Sequence, residues 1–344
     1  MSFITNAIRL DSEYRQLLDT VKKEFSAHKP YPIAISGLSD GASDACIVSL
    51  VEDTSRERRG MPLFIICPEE KECLRLQKML VQHGIRASFY LNRDLNFYNI
   101  TASHEYEHER LRVLSGILNG DFDAVITTPD ALLGYTIPPQ CLKENMLCID
   151  NTEQLEPKEL ANRLIAAGYA RADLVDSPGQ FALRGGIVDI YPPNGRFGDA
   201  DGGTKNGANA IRVEFFGDTI DRISEIDALT GKILNDLKHA NIFPASHYVV
   251  GGEKEEIFKQ IHQDKFRQIE FFKANNKLIE AQRIEERVNY DVEMMKEMGY
   301  CTGIENYSRY FDGREIGQPP YTLLDFFPKD FVVFVDESHI TLPQ

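Results

Sequence analysis

The sequence contains no tryptophan, and none of its six cysteines (Cys46, Cys67, Cys73, Cys141, Cys148 and Cys301) falls in a CxxC pair or another ligand-like spacing. Neither a disulfide framework nor a structural metal organises such a chain, and a reduced protein is expected. It also lacks an apolar run near the roughly 20 residues that span a bilayer, and its first residues, MSFITNAIRLDSEY, have no secretory core. A cytoplasmic protein without a membrane partner is the expectation. Positive charge is scarce too: 38 Lys and Arg against 53 Asp and Glu leave a formal net charge of −15. A chain that grips DNA by itself shows a basic field, and this one repels phosphate overall. What is present is 344 residues with 42% hydrophobic content, enough for two or three cores.

One further absence is local. Residues 34–45 read AISGLSDGASDA, close to the phosphate-loop pattern G-x-x-x-x-G-K-[ST] that follows a buried strand and opens a helix. With Gly41 and Ser43 aligned to the end of the pattern, Ser36 stands where the first glycine belongs and Ala42 where the lysine belongs. The apolar run Ile33–Ile35 predicts the strand, and Asp44 to Val51 continue as the helix. No ammonium remains to neutralise the β and γ phosphates, while Asp40 and Asp44 add negative charge. Residues Ser36, Gly37, Gly41, Ala42 and Ser43 therefore form a degenerate nucleotide loop that serves the fold.

Helical and strand patterns alternate along the first 145 residues. Asp11 is placed as the N-cap of a helix over 11–28 with Tyr14, Leu17, Leu18, Val21 and Phe25 on one face. Leu63–Cys67 precedes a helix through Leu80, Ala87–Leu91 is a short strand, and helical His104–Leu118 leads into strand Ala124–Thr127. Strands separated by helices predict right-handed βαβ units and a parallel sheet. From Gly179 to Ile233 the period changes to two, broken by turn clusters, with a Gly/Asn/Asp-rich connection at 194–209. The helical period returns from residue 253 to about Met298, and the apolar strand FVVFVDESH then has the first sheet as its destination. The chain stops eight residues after Asp336, which reads as a cut and not a natural terminus.

The blocks GYARADLVDSPGQFALRGGIVDIYPP, IRVEFFGDTIDRISEIDALTGKI, IENYSRYFDGREIGQPPYTLLDFFP and VDESHITLPQ resemble the bacterial excinuclease component UvrB and its relative, the transcription-repair coupling factor. Of the two, the N-terminal module of the coupling factor is the better match, since UvrB needs the lysine that Ala42 replaces. UvrB also carries a long aromatic hairpin for clamping DNA. Here only LNRDLNFYNITAS occupies that place, and Tyr90, Phe97 and Tyr98 are expected to pack and not to stack on bases.

The resemblance implies a degenerate P-loop, RecA-like α/β domain with a parallel sheet over 1–147. It implies an inserted small antiparallel α+β domain over 148–245, and a helical segment over 246–344 whose closing strand returns to the sheet. It implies that the inserted domain binds UvrA, the damage-scanning component of the same excinuclease, through Arg171, Arg184 and Glu214, with Ala182 standing where a third family arginine belongs. The bland alternative is that Arg184 and Glu214 merely pair across neighbouring strands. In motor ATPases the strand-end acid of VDESH holds magnesium-bound water and its glutamate polarises the attacking water. Asp336 and Glu337 keep that Walker-B-like pair. No catalytic residue and no cofactor are assigned to this fragment; ATP and Mg2+ belong to the motor of a full-length parent. RNA polymerase and DNA would be met through the rest of that parent. The expected role is an adaptor recruiting UvrA to stalled polymerase during nucleotide excision repair, without ATP hydrolysis of its own. The alternative is a catalytic fragment of a UvrB-like DNA-repair ATPase.

Overall fold

The computed structural model describes residues 3–25, 31–57, 62–92, 100–193, 209–245, 254–298, 301, 303–329 and 331–342. Phe97, Tyr98 and the connection expected at 194–208 lie outside the described residues. Contacts divide the chain into two compact units, Met1–Gly134 with Leu323–Gln344 and Tyr135–Gly198 with Lys205–Thr322.

The first unit opens with α1 (Phe3–Leu10) and α2 (Ser12–Phe25). Asp11 caps α2 as its spacing predicts: its Oδ1 accepts from the backbone N–H of Glu13 at 2.7 Å and of Tyr14 at 3.3 Å. The pair is tied to α3 (Asp40–Glu57) through Asp53, which accepts from Arg9 at 3.0 Å and from the Tyr14 hydroxyl at 2.9 Å. Next come β1 (Leu63–Ile66), α4 (Glu70–Gln82), β2 (Ala87–Tyr90), α5 (Ile100–Asn119), β3 (Ala124–Thr127) and α6 (Pro129–Leu133). Every residue of β1 and β3 is buried, the signature of a parallel sheet covered on both faces. On α4 the buried side chains are Cys73, Leu76 and Leu80, spaced for a single helical face. Tyr90 is buried with the Arg110 guanidinium 4.3 Å from its ring centre, so it packs inside the unit.

The second unit begins with α7 (Pro139–Glu144), β4 (Leu147–Asp150), α8 (Pro157–Ala166) and the short β5 (Ala170–Arg171). Its main sheet then runs through β6 (Gln180–Arg184), β7 (Ile187–Tyr191), β8 (Asn209–Phe216), β9 (Thr219–Asp227) and β10 (Ile233–Leu237). The order is β10-β9-β8-β7-β6-β5, antiparallel except where β5 joins β6. Period-2 alternation sends Phe181, Val188, Ile190, Ile211, Val213 and Ile223 to one face, where Leu160 and Leu164 of α8 cover them. A second ladder pairs β4 with β11 (His239–Ile242), beside which the buried Tyr169 hydroxyl donates to the Phe243 carbonyl at 2.6 Å. Helices α9 (Lys254–Ala274) and α10 (Leu278–Met298) follow. They close a small core of Phe258, Ile261, Val292 and Met295 with Cys301 and Ile304. After α11 (Ser308–Asp312) the chain leaves this unit.

The return is made by β12 (Val332–Val335), followed by α12 (Ser338–Thr341). It pairs in parallel with β1, Leu63 opposite Val332 and Ile66 opposite Val335, giving an all-parallel sheet of order β12-β1-β3-β2. Phe64 sits against Phe327 and Phe331, with ring centres 4.7 and 6.4 Å away. The return of the closing strand is therefore as the sequence predicts, whereas residues 254–322 group with the second unit. No helix of the described residues is long and apolar enough to cross a membrane.

Candidate functional site

The predicted strand at Ile33–Ile35 does not form: residues 31–36 carry no ladder bonds, and Tyr31, Ile33, Ile35 and Leu38 are exposed. An apolar run becomes a strand only beside a free row of amides and carbonyls, and neither edge strand, β12 or β2, pairs with it. The chain turns at Gly37 (φ +81°), and α3 starts at Asp40, so Gly41, Ala42 and Ser43 lie in its first turn. The Ser43 N–H is already spent on the Ser39 carbonyl at 2.8 Å.

The charge around this turn is built from within. Arg75 of α4 grips Asp44 with two bonds of 2.7 Å and reaches Glu72 at 2.6 and 2.8 Å. Asp44, then Glu72, hold the guanidinium firmly protonated. Asp336 ends β12 beside β1, its N–H donating to the Ile66 carbonyl at 2.9 Å. Burial, then Glu337 and Glu72, push the Asp336 carboxyl above its ordinary range. Glu337 follows in a left-handed conformation (φ 43°). One cation already committed to two carboxylates thus faces an acidic surplus. A polyphosphate needs the opposite balance.

The second candidate lies on the six-stranded sheet. Register sets Arg184 opposite Ile187, Ile187 opposite Glu214, and Glu214 opposite Arg222. Arg184 and Glu214 therefore share a row but sit two strands apart, and they do not form the direct pair weighed as the bland alternative. Arg184, with 47% of its side chain exposed, donates instead to Asp189 at 2.5 Å. Asp189 is 3% exposed and is also gripped by Arg212 of β8, at 2.6 Å from Nε and 2.9 Å from Nη2. Arg222 is engaged by Asp236 at 2.8 Å, and among the described residues Glu214 makes no side-chain hydrogen bond. Arg171, on β5, is exposed and makes no ion pair among the described residues. Ala182 is buried with Val175, Ala210 and Ile226. Asp189 and Arg212 were not singled out from sequence; their shared period-2 face in GGIVDIY and AIRVEFF was the available signal.

Comparison with known proteins places the second candidate in a familiar setting. Residues 147–248 match the UvrB interaction domain and residues 253–313 the UvrB third helical domain. UvrABC system protein B of Enterococcus faecalis is 41% identical over 241 residues, covering 70% of this chain and 34% of that protein. The same-named protein of Bacillus subtilis is 40% identical over 258 residues, 74% of this chain and 37% of its own. That of Lactococcus lactis is 38% identical over 245 residues, with 71% and 34% covered. The chain thus carries a UvrB-like module and spans about a third of the length of the curated relatives it matches. These relatives all bear the UvrB name, so they favour that family over the coupling factor expected from Ala42.

Two outcomes follow from this geometry. Because the fold raises the Asp336 pKa, its ionised form costs stability above that pKa. Asp336→Asn is expected to raise the melting temperature by about 1–3 °C at pH 7. The gain should shrink as pH falls and vanish below about pH 4, where the carboxyl is protonated folded or unfolded; thermal melts across pH read it. On the sheet, Arg184→Ala leaves Asp189 still held by Arg212 and should cost about 0.5 kcal/mol. Arg212→Ala removes the more buried partner and should cost about 2–4 kcal/mol in urea unfolding.

Proposed function

We propose that this chain is the docking module of a UvrB-like DNA-repair protein. It binds the excinuclease component UvrA through the sheet of residues 147–248 and does not turn over ATP itself. The observation that carries this reading is a coincidence of place. The stretch similar to the UvrB interaction domain is the sheet that leaves Arg171 unpaired and Arg184 half-exposed beside Glu214. Arginine suits a protein dock because its planar fork takes a carboxylate in two bonds while its face packs on apolar atoms. A net charge of −15 favours a protein partner over direct contact with DNA phosphates.

The catalytic alternative meets two obstacles, the missing ammonium at Ala42 and the Arg75–Asp44–Glu72 cluster beside it. A second reading, that the module opens a transcription-repair coupling factor and recruits UvrA to stalled RNA polymerase, is favoured by Ala42 alone. Binding of RNA polymerase by the longer parent protein tests it.

Removing Arg171 or Arg184 by alanine substitution is expected to weaken binding of UvrA by about thirtyfold. Titration calorimetry measures that loss, and an unchanged affinity in both variants would remove the sheet from the interface. Millimolar Mg-ATP should leave the melting temperature unchanged, since a ligand of the folded state alone would raise it by mass action. A clear shift that Asp336→Asn abolishes would restore a nucleotide site.

A further inference from the structure

The end of the six-stranded sheet carries an aromatic ring that the fold does not use. Phe216, the last residue of β8, is 83% exposed, more than any other large apolar side chain among the described residues. Its backbone is nevertheless firmly seated. The Phe215 N–H donates to the Gly186 carbonyl at 2.8 Å, and a Cβ on Gly186 would stand 3.0 Å from the Phe215 carbonyl oxygen. The β6–β7 and β8–β9 tips therefore touch backbone to backbone. On the other flank the Leu155 N–H donates to the Asp218 carbonyl at 3.1 Å, and Gln154 bridges to Thr219.

Direction along the strand decides what Phe216 accompanies. Phe215 packs against the core, so its neighbours Glu214 and Phe216 point to the opposite face. That is the face of Arg184, by the register Arg184–Ile187–Glu214. Gly185 (φ +61°) and Gly217 (φ +65°) close the two tips in the left-handed region, and they bring Arg184 and Phe216 to the same end of the sheet. An exposed ring on a fixed backbone adds nothing to folding, yet it loses little entropy when a partner covers it, because a phenylalanine has only two side-chain torsions to fix. Flanked by a cation and an anion, it has the make-up of an interface anchor: an aromatic centre with a charged surround.

We infer that Phe216 is the apolar anchor of the docking surface, and that it enters a pocket on the partner lying between a carboxylate that meets Arg184 and a cation that meets Glu214. The partner is the protein of the docking proposal, UvrA, and the inference rests on that proposal. The test is titration of UvrA with the whole chain, unaltered and as Phe216→Ala, Phe216→Leu and Arg184→Ala, with melting and sedimentation of each. Phe216→Ala is expected to bind about thirtyfold more weakly at an unchanged melting temperature, while Phe216→Leu stays within about fivefold of the unaltered chain. If Phe216→Ala binds normally while Arg184→Ala is weakened, the anchor is refuted and the docking proposal survives. If the unaltered chain does not bind UvrA, both fall. A melting temperature that drops with affinity in Phe216→Ala, or a dimer of the chain that this substitution dissolves, would assign the ring to the fold or to a second copy and overturn the inference.

Discussion

Strand β1 imposes the constraint around which the first unit is built. Leu63–Ile66 is buried at every position and bonded along both edges, by β3 on one side and β12 on the other. A buried strand cannot leave one row of amides and carbonyls without partners, and the row facing away from β3 is filled by residues from the opposite end of the chain. The antiparallel sheet and the helical pair are therefore an excursion between two halves of one core. Such long-range pairing makes the first unit slow to complete, because loop closure precedes any reward from contact.

The same closure sets the electrostatics of the relic loop. Pairing of β12 with β1 delivers Asp336 to the end of the sheet near Glu72, while Arg75 reaches from α4 to Asp44. What a nucleotide site would spend on phosphate is spent here between two helices. The exposed Ile33 and Ile35 belong with that picture, since a phosphate loop needs its preceding strand locked in the sheet to aim its amides.

Much of this was legible in the sequence where pattern and neighbour agree. LFII, AVIT and VVFV are too uniformly apolar for anything but a covered parallel sheet, and the alternation in FALRGGIVDIY and AIRVEFF sorted the antiparallel strands by face. The run at Ile33–Ile35 was misleading because its composition matches a strand while pairing depends on an edge that no local pattern reports. The arginines were visible but their company was not. Asp189 and Arg212 meet only through the β7–β8 register, which follows from hairpin geometry and not from the residues themselves. The Arg184–Glu214 pair failed for the same reason, one intervening strand.

The shared hold on Asp189 has a kinetic side. Arg212 satisfies that carboxylate with two bonds of its own, so Arg184 can swing away without stranding a charge. Such a swing is a rotamer change of a half-exposed side chain, a matter of picoseconds to nanoseconds. Encounter between proteins is far slower, and a dock whose cation is released so cheaply sets no conformational gate of its own. Its association rate is governed by collision and steering, and should answer to ionic strength before it answers to anything inside the fold.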